Sequence, residues 1–300
     1  TDKDARLLAK KTDKGPTAGY SLQIAVDEKN KLIVAHEFVN DGNDSQQLAN
    51  LAIKAKDNMG VEELNALADG GYYNQQKIKE CIDANITPYV PVVKRNRPLT
   101  EDKRFKREDF QYDTKNDTYT CPAGRSLTAH NKQNKNGKMM QGYASNKKHC
   151  AECSLREQCL PAKTPYRQIY RWEHEVVVDA HKERMANDGK AQMKKRAALA
   201  EHPFGTLKVW LGWTHLLLRG FAKVRVEMNL LITSYNFKRV INIIGIEAFI
   251  TYCKQRNRTT QINKNKDVLS YFWSKIAILV IIFGFLLSPR DPLVNFTYSS

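Results

Sequence analysis

The sequence has no glycine-rich phosphate loop and no internal repeat, so neither a nucleotide-binding P-loop nor a solenoid is indicated. Its opening stretch, "TDKDARLLAKK", is polar and has no apolar h-region, so nothing argues for secretion. Because the chain begins on Thr1, its true N-terminus is expected to lie upstream. Long apolar runs are also scarce. "IAILVIIFGFLL" at 276–287 gives twelve residues, and reaching twenty means extending back to Val268 and accepting Lys275. Twelve is too few to span a bilayer comfortably. The stretch reads as a hydrophobic tail, and no stable membrane association is expected. Acidic residues are the other shortage, with 32 Asp plus Glu against 48 Lys plus Arg and a formal charge of +16 over 300 residues. Such an excess favours a polyanionic partner, nucleic acid first and an anionic membrane second. A basic soluble enzyme is the plainer alternative.

Cysteines are few and uneven. Of the six, Cys121, Cys150, Cys153 and Cys159 share one polar, basic segment, while Cys81 and Cys253 sit alone in helical patterns. Without an export signal, clustered cysteines point to metal more than to disulfides. The pair Cys150-x2-Cys153 forms a knuckle that supplies two thiolates to a tetrahedral ion, and Cys121 and Cys159 complete four. Pro122 and Gly124 give Cys121 a turn, and His149 could replace one ligand. Structural zinc is the expectation, with reduced thiols or a redox pair as the alternatives. The segment has too little apolar content to fold by burial alone, and zinc would supply the difference.

Along the chain, "YSLQIAVD" at 20–27 and "LIVAHEFV" at 32–39 alternate as a strand hairpin. Asp44 or Ser45 is placed to cap a helix with Leu48, Leu51, Ala55 and Met59 on one face, ended by Gly60. "LNALA" at 64–68 predicts a short buried strand, Asn74 caps a helix bearing Ile78, Cys81 and Ile82, and "TPYVPVV" at 87–93 predicts another strand. This β-α-β unit implies parallel pairing in a mixed α/β sheet. The region from "KRNRPLTEDKRFKRED" at 94–109 onward is charged and reads as an insertion with its own small fold. Helical character resumes near Glu173, and Phe221, Val224, Met228, Leu231 and Tyr235 form a stripe for packing. The expected divisions are 1–93, 94–170, 171–255 and a polar linker with the hydrophobic tail over 256–300.

Two carboxylates stand out. Asp69 follows the short strand and precedes Gly70-Gly71; it either caps the turn or holds a metal. Glu201 closes a helix carrying Lys194, Lys195 and Arg196, where "HPFG" breaks the pattern; taken alone it is an ordinary surface ion pair. An Asp at a strand end and a Glu on a helix over the same sheet can together supply two-metal phosphoryl chemistry.

"TDKDAR", "GYSLQIAVD", "NDGNDS", "ADGGYY" and "EHPFGTLK", in that order with the cysteines between the last two, resemble a bacterial insertion-sequence transposase of the DDE type. The resemblance covers about residues 1–245. It implies an α/β fold: an RNase H-like mixed sheet flanked by helices, with the four-cysteine zinc-binding insertion placed before the last catalytic helix. It also implies metal-dependent DNA cleavage and strand transfer. Asp69 and Glu201 become the second and third acids of the triad, holding two Mg²⁺ ions in the intact site, and Lys208 contacts DNA. The basic residues Lys194, Lys195 and Arg196 would neutralise backbone phosphates. The arginine and tyrosine usual before the glutamate are replaced by Ala197 and Lys194. The first acid should lie on a strand upstream of Thr1, and Asp2, Asp4 and Asp44 match no such motif. A C-terminal portion of a transposase is thus expected, binding DNA but cleaving it poorly. Its partners would be transposon ends and target DNA, with a homodimer when active, in the bacterial cytoplasm at the nucleoid. The rival reading is a non-catalytic zinc-containing nucleic-acid-binding protein.

Overall fold

The computed structural model describes residues 2–8, 17–41, 44–93, 104–210, 212, 215–261 and 293–299. Of these, Leu8, Thr17, Ala200, Glu201, Val209, Trp210, 256–261 and 293–299 are described in their backbone only. In chain order the elements are β1 (Arg6–Leu8), β2 (Thr17–Gly19), β3 (Ser21–Asp27), β4 (Ile33–Val39), α1 (Leu48–Met59), β5 (Leu64–Leu67), α2 (Gln75–Asp83) and β6 (Ile86–Tyr89). There follow β7 (Gln111–Asp113), β8 (Thr118–Thr120), β9 (Ser126–Lys135), β10 (Lys138–Ala144), α3 (Lys147–Ala151), α4 (Arg156–Cys159) and β11 (Gln168–Trp172). Helices α5 (Glu175–Asn187), α6 (Gly189–Gly205), α7 (Phe221–Ile244) and α8 (Ile246–Gln261) precede a final strand, β12 (Leu293–Ser299). The chain divides into two compact units, residues 1–93 with 181–300, and residues 94–180.

The first unit is a mixed α/β layer built on a five-stranded sheet of order β4-β3-β12-β5-β6. β3 and β4 form the antiparallel hairpin that alternation predicts, and β5 and β6 pair in parallel across α2. All seven residues of β3 are buried. Leu22, Ile24 and Val26 meet Val224, Met228, Ile232 and Tyr235 of α7, so the predicted stripe is core. Asn236 on that helix clamps the start of β4, its amide donating to the Ile33 carbonyl and accepting from the Ile33 N–H, both at 2.9 Å. Gly60 ends α1 in the left-handed region at φ 63°, which costs glycine nothing. Asn74 caps α2, its side chain accepting from the Gln76 N–H at 3.0 Å.

Three expectations are corrected. Neither Asp44 nor Ser45 caps α1: both belong to a short 3-10 turn, Asp44–Gln46, and the residue before the helix is Gln47. The Asp44 side chain is drawn elsewhere by a buried glutamine, as described below. The helix bearing Glu201 does not stop at "HPFG". It runs through the buried Pro203 to Gly205 and into a wide turn over Thr206–Trp210. Pro203 has no N–H to offer the Leu199 carbonyl, so one bond of the ladder is missing in the last turn of α6. The strand expected over 87–93 is shorter, ending at Tyr89 before Pro91. Among the described residues no helix is long and apolar enough to cross a membrane; the 268–287 stretch lies outside them.

His181, at the start of the returning chain, is wholly buried, with its Nε2 2.9 Å from the Val90 carbonyl. Its Nδ1 has no hydrogen-bond partner among the described residues. Burial holds its pKa below the ordinary 6.5, with the Arg184 and Lys182 charges acting the same way against the Val90 and Pro88 carbonyls. A histidine kept neutral in the fold but free to charge when unfolded contributes stability that is complete above pH 6.5. That contribution is lost as pH falls through the depressed folded value. Urea midpoints measured at pH 7.5 and 5.5 should therefore drop with acidity, and the drop should shrink in His181→Gln. An unchanged drop would assign the effect to other groups.

The second unit is an antiparallel meander of order β11-β10-β9-β8-β7. Its core is small and aromatic: Phe110, Tyr119, Leu127, Tyr143 and Ile169, with Phe105, Tyr112, Cys121 and Cys159 at its margin. The Arg171 guanidinium lies 3.9 Å from the centroid of the Tyr112 ring. Asp117 accepts from the hydroxyls of both Tyr112 and Tyr143, which holds its carboxyl below the usual range.

Candidate active site and cysteine cluster

β5 is short because Leu64, Ala66 and Leu67 fill the core and the chain must then leave the sheet. It leaves through Asp69 and a 3-10 turn over Gly70–Tyr72. The Asp69 Oδ1 accepts the Gly71 N–H at 2.9 Å, so the aspartate does cap the turn. Its Oδ2 projects further and pairs with Arg196 Nη2 at 3.1 Å. Capping engages one oxygen and leaves the other at the sheet edge. Neither glycine is required by a positive φ; both answer close approach. A Cβ on Gly70 would meet the Val93 side chain at 2.9 Å, and one on Gly71 would lie 3.0 Å from Asp69 Oδ1.

The same imagined Cβ on Gly71 would lie 3.9 Å from Asp44 Oδ2. Asp44 and Asp69 thus face one small space, although they are far apart in sequence. Gln23 positions Asp44. It is wholly buried on β3, and its Nε2 donates to Asp44 Oδ1 at 2.8 Å and to Ser21 Oγ at 2.7 Å. The Tyr72 hydroxyl donates to the Gln23 Oε1, tying the Asp69 turn to the same network. Burial pushes the Asp44 carboxyl up from its ordinary value; the Gln23 amide opposes this, and the Asp69 charge adds to it. Two converging carboxylates offer hard oxygen donors that suit Mg²⁺. Composition and motif did not single out Asp44. The available signal was Gln23, a polar residue inside an otherwise apolar strand, which in a buried setting must be hydrogen-bonded to something.

α6 lies against β5, with Leu199 packed on Leu67 beside Met193 and Tyr89. Arg196, three residues before Leu199, reaches Asp69 from that face. Glu201 is placed on α6 in its backbone, but its side chain lies outside the described residues. Lys194, Lys195 and Lys208 are exposed, and Lys195 Nζ is 3.8 Å from Glu28. β12, the strand beside β5, pairs Asn295 with Leu67; continuing that register by two residues sets Thr297 level with Asp69. None of its seven residues is acidic.

In the second unit, Cys121, Cys150, Cys153 and Cys159 line one cavity, with His149, Arg125, Arg156 and Arg167 among its walls. The turn at "CPAG" has Gly124 at φ 75° and lets the Arg125 N–H donate to Cys121 Sγ at 3.3 Å. The Ser145 hydroxyl is 2.9 Å from Cys150 Sγ. Burial raises the Cys159 thiol, and the three other cysteines add to the rise while Arg167 opposes it. All four are free thiols. Among the described residues no group of three or more His, Cys, Asp or Glu side chains is closed to metal-ligand spacing. Soft sulfur donors facing one cavity nonetheless suit zinc in kind.

Residues 120–241 match the family model described as a transposase DDE domain. That stretch contains the four cysteines, Glu201 and Lys208, and Asp69 lies outside it. No curated protein and no solved structure matches the chain. From the cysteine cluster through α6 and most of α7, the chain is thus similar to transposase DDE domains.

Proposed function

We propose that the chain is built for metal-dependent phosphoryl transfer on DNA, on an RNase H-like sheet, in a bacterial insertion-sequence transposase. The observation that carries this reading is the meeting of Asp69 and Asp44 beside Gly71, at the end of a central strand under the helix that bears Glu201. Asp69, Asp44 and Glu201 are the residues that would hold Mg²⁺. Bound there, the ion would stabilise charge on the phosphodiester and lower the pKa of an attacking water. The protein's own part is to fix the carboxylates: the Gly71 N–H holds Asp69, and Gln23 holds Asp44. Lys194, Lys195 and Lys208 would contact backbone phosphates, and two copies would act together on paired ends. The four cysteines would bind a structural zinc ion that fixes the fold of their segment.

A non-catalytic zinc-containing nucleic-acid-binding protein is the second reading, and one observation favours it. Arg196 already neutralises Asp69, while the neighbouring strand β12 brings no acid to its side. The purified chain is expected to bind duplex DNA and to nick supercoiled plasmid slowly in Mg²⁺ and not in a chelator. Tight DNA binding with no Mg²⁺-dependent nicking at any protein concentration would select the second reading.

A further inference from the structure

We propose that the β9–β10 hairpin is a DNA-binding ribbon that enters the major groove of a duplex. The proposal rests on the transposase reading, since it takes DNA as the partner.

β9 is long, but β8 pairs with it only at Ser126 and Leu127. From Thr128 to Lys135 its outer edge has no strand partner among the described residues, a length of about 27 Å at ~3.4 Å per residue. On the other side, β11 follows β10 only as far as Met140. The pairs Asn134/Met139 and Lys135/Lys138 therefore extend past the sheet as a two-stranded tip. Asn136 and Gly137 reverse the chain at φ 52° and 77°, the mirror-image turn that suits strand twist. The Gly137 N–H is bound by Asn134 Oδ1 at 3.0 Å, so the tip is a defined turn.

The chemistry of the ribbon has one sign. No Asp or Glu occurs from Thr118 through Ala151, a stretch holding Arg125, Lys132, Lys135, Lys138, Lys147 and Lys148. The acid just before it, Asp117, is engaged by two tyrosine hydroxyls. His130, Lys132 and Lys135 are exposed, whereas Lys138 is held 4.6 Å from the centroid of the Trp172 ring. Lysines on an open edge strand also discourage pairing between molecules, but that role does not account for a lack of acids that extends from Thr118 to Ala151, well beyond the open edge. An uninterrupted positive stretch selects an anionic partner. A two-stranded ribbon fits the roughly 12 Å major groove of B-DNA, and the amides of Asn131 and Gln133 are of the kind that meet base edges.

The test is duplex binding by the full chain across a range of KCl, for wild type and for Lys132→Gln/Lys135→Gln. Removing two phosphate contacts should flatten the log–log salt slope by about 1.8 and weaken binding roughly 60-fold at 0.1 M salt. A control, Lys115→Gln/Lys163→Gln, removes the same charge from exposed positions off the hairpin and should cost far less. Circular dichroism of both variants should match wild type, because all four side chains are exposed. Equal losses in the two variants would overturn the hairpin assignment while leaving DNA as the partner. Absence of wild-type binding would overturn both. A hairpin-dependent preference for duplex RNA, whose deep, narrow major groove admits no ribbon, would overturn groove entry.

Discussion

Replacing Asp69 by asparagine is expected to lower Mg²⁺-dependent nicking by about 10²–10³-fold, the loss typical of removing one preorganised polar group from a reaction centre. The substitution separates the two jobs of this residue. Asparagine caps turns as well as aspartate does, so the acceptor for the Gly71 N–H is kept. What goes is the charge on the outer oxygen, the one that Arg196 now holds. The Asp69 and Arg196 side chains are 39% and 21% exposed, and a pair so placed contributes at most about 1 kcal/mol. Melting temperature should therefore barely move while activity collapses. Arg196→Gln is the informative companion. With the guanidinium gone, Mg²⁺ no longer competes for the Asp69 carboxylate, and calorimetry should show tighter metal binding. Nicking by Asp69→Asn within twofold of wild type would remove Asp69 from the chemistry.

The second large effect concerns the cysteines. A strong zinc chelator, or Cys153→Ser, is expected to abolish hydrogen-exchange protection over residues 104–180 in the full chain while protection of β3 persists. Among its described residues the second unit buries only eight apolar side chains, Phe110, Tyr119, Leu127, Tyr143, Leu160, Ile169, Trp172 and Val178. At about 1.5–3 kcal/mol each before entropy is charged, they leave little margin. A structural zinc ion contributes on the order of 10–16 kcal/mol at neutral pH, enough to decide whether the unit folds. Elemental analysis should give one zinc per chain. Protection retained in zinc-free protein would return the four thiols to a reduced cluster in a self-sufficient meander.

Much of the first unit was legible because its signals are local. Alternation marked β3 and β4, the stripe from Phe221 to Tyr235 marked the helix above them, and Asn74 and Gly60 marked helix ends. Asp69 was legible as a residue that caps its turn or holds a metal; the geometry shows the cap on Oδ1 and an ion pair with Arg196 on Oδ2. What was not legible depends on distant contacts. Asp44 looked like a helix cap because its neighbours in sequence are cap-like. Its actual partner, Gln23, lies twenty-one residues earlier on a strand that only the fold brings alongside. Arg196 read as one more phosphate contact because its helix is basic; its reach to Asp69 follows from Leu199 docking on Leu67. The hairpin over β9 and β10 sat in a stretch too polar to show periodicity, and its two-residue turn at Asn136-Gly137 was the cue passed over.

The place of β12 has a further consequence, for synthesis rather than chemistry. Its Asn295 pairs with Leu67, roughly 230 residues earlier, and its Ala25 partner is earlier still. The β3–β4 hairpin and the β5–α2–β6 unit can each form as soon as they leave the ribosome, but no strand pairs between β3 and β5 until β12 is made. At about 5–20 residues per second, that wait exceeds ten seconds. Throughout it, the inner edges of β3 and β5 stand open as templates for any extended chain nearby. Yield in the cell is then governed by how well those two edges are guarded until β12 is made, and slower translation of the stretch between β6 and β12 should convert soluble protein into aggregate.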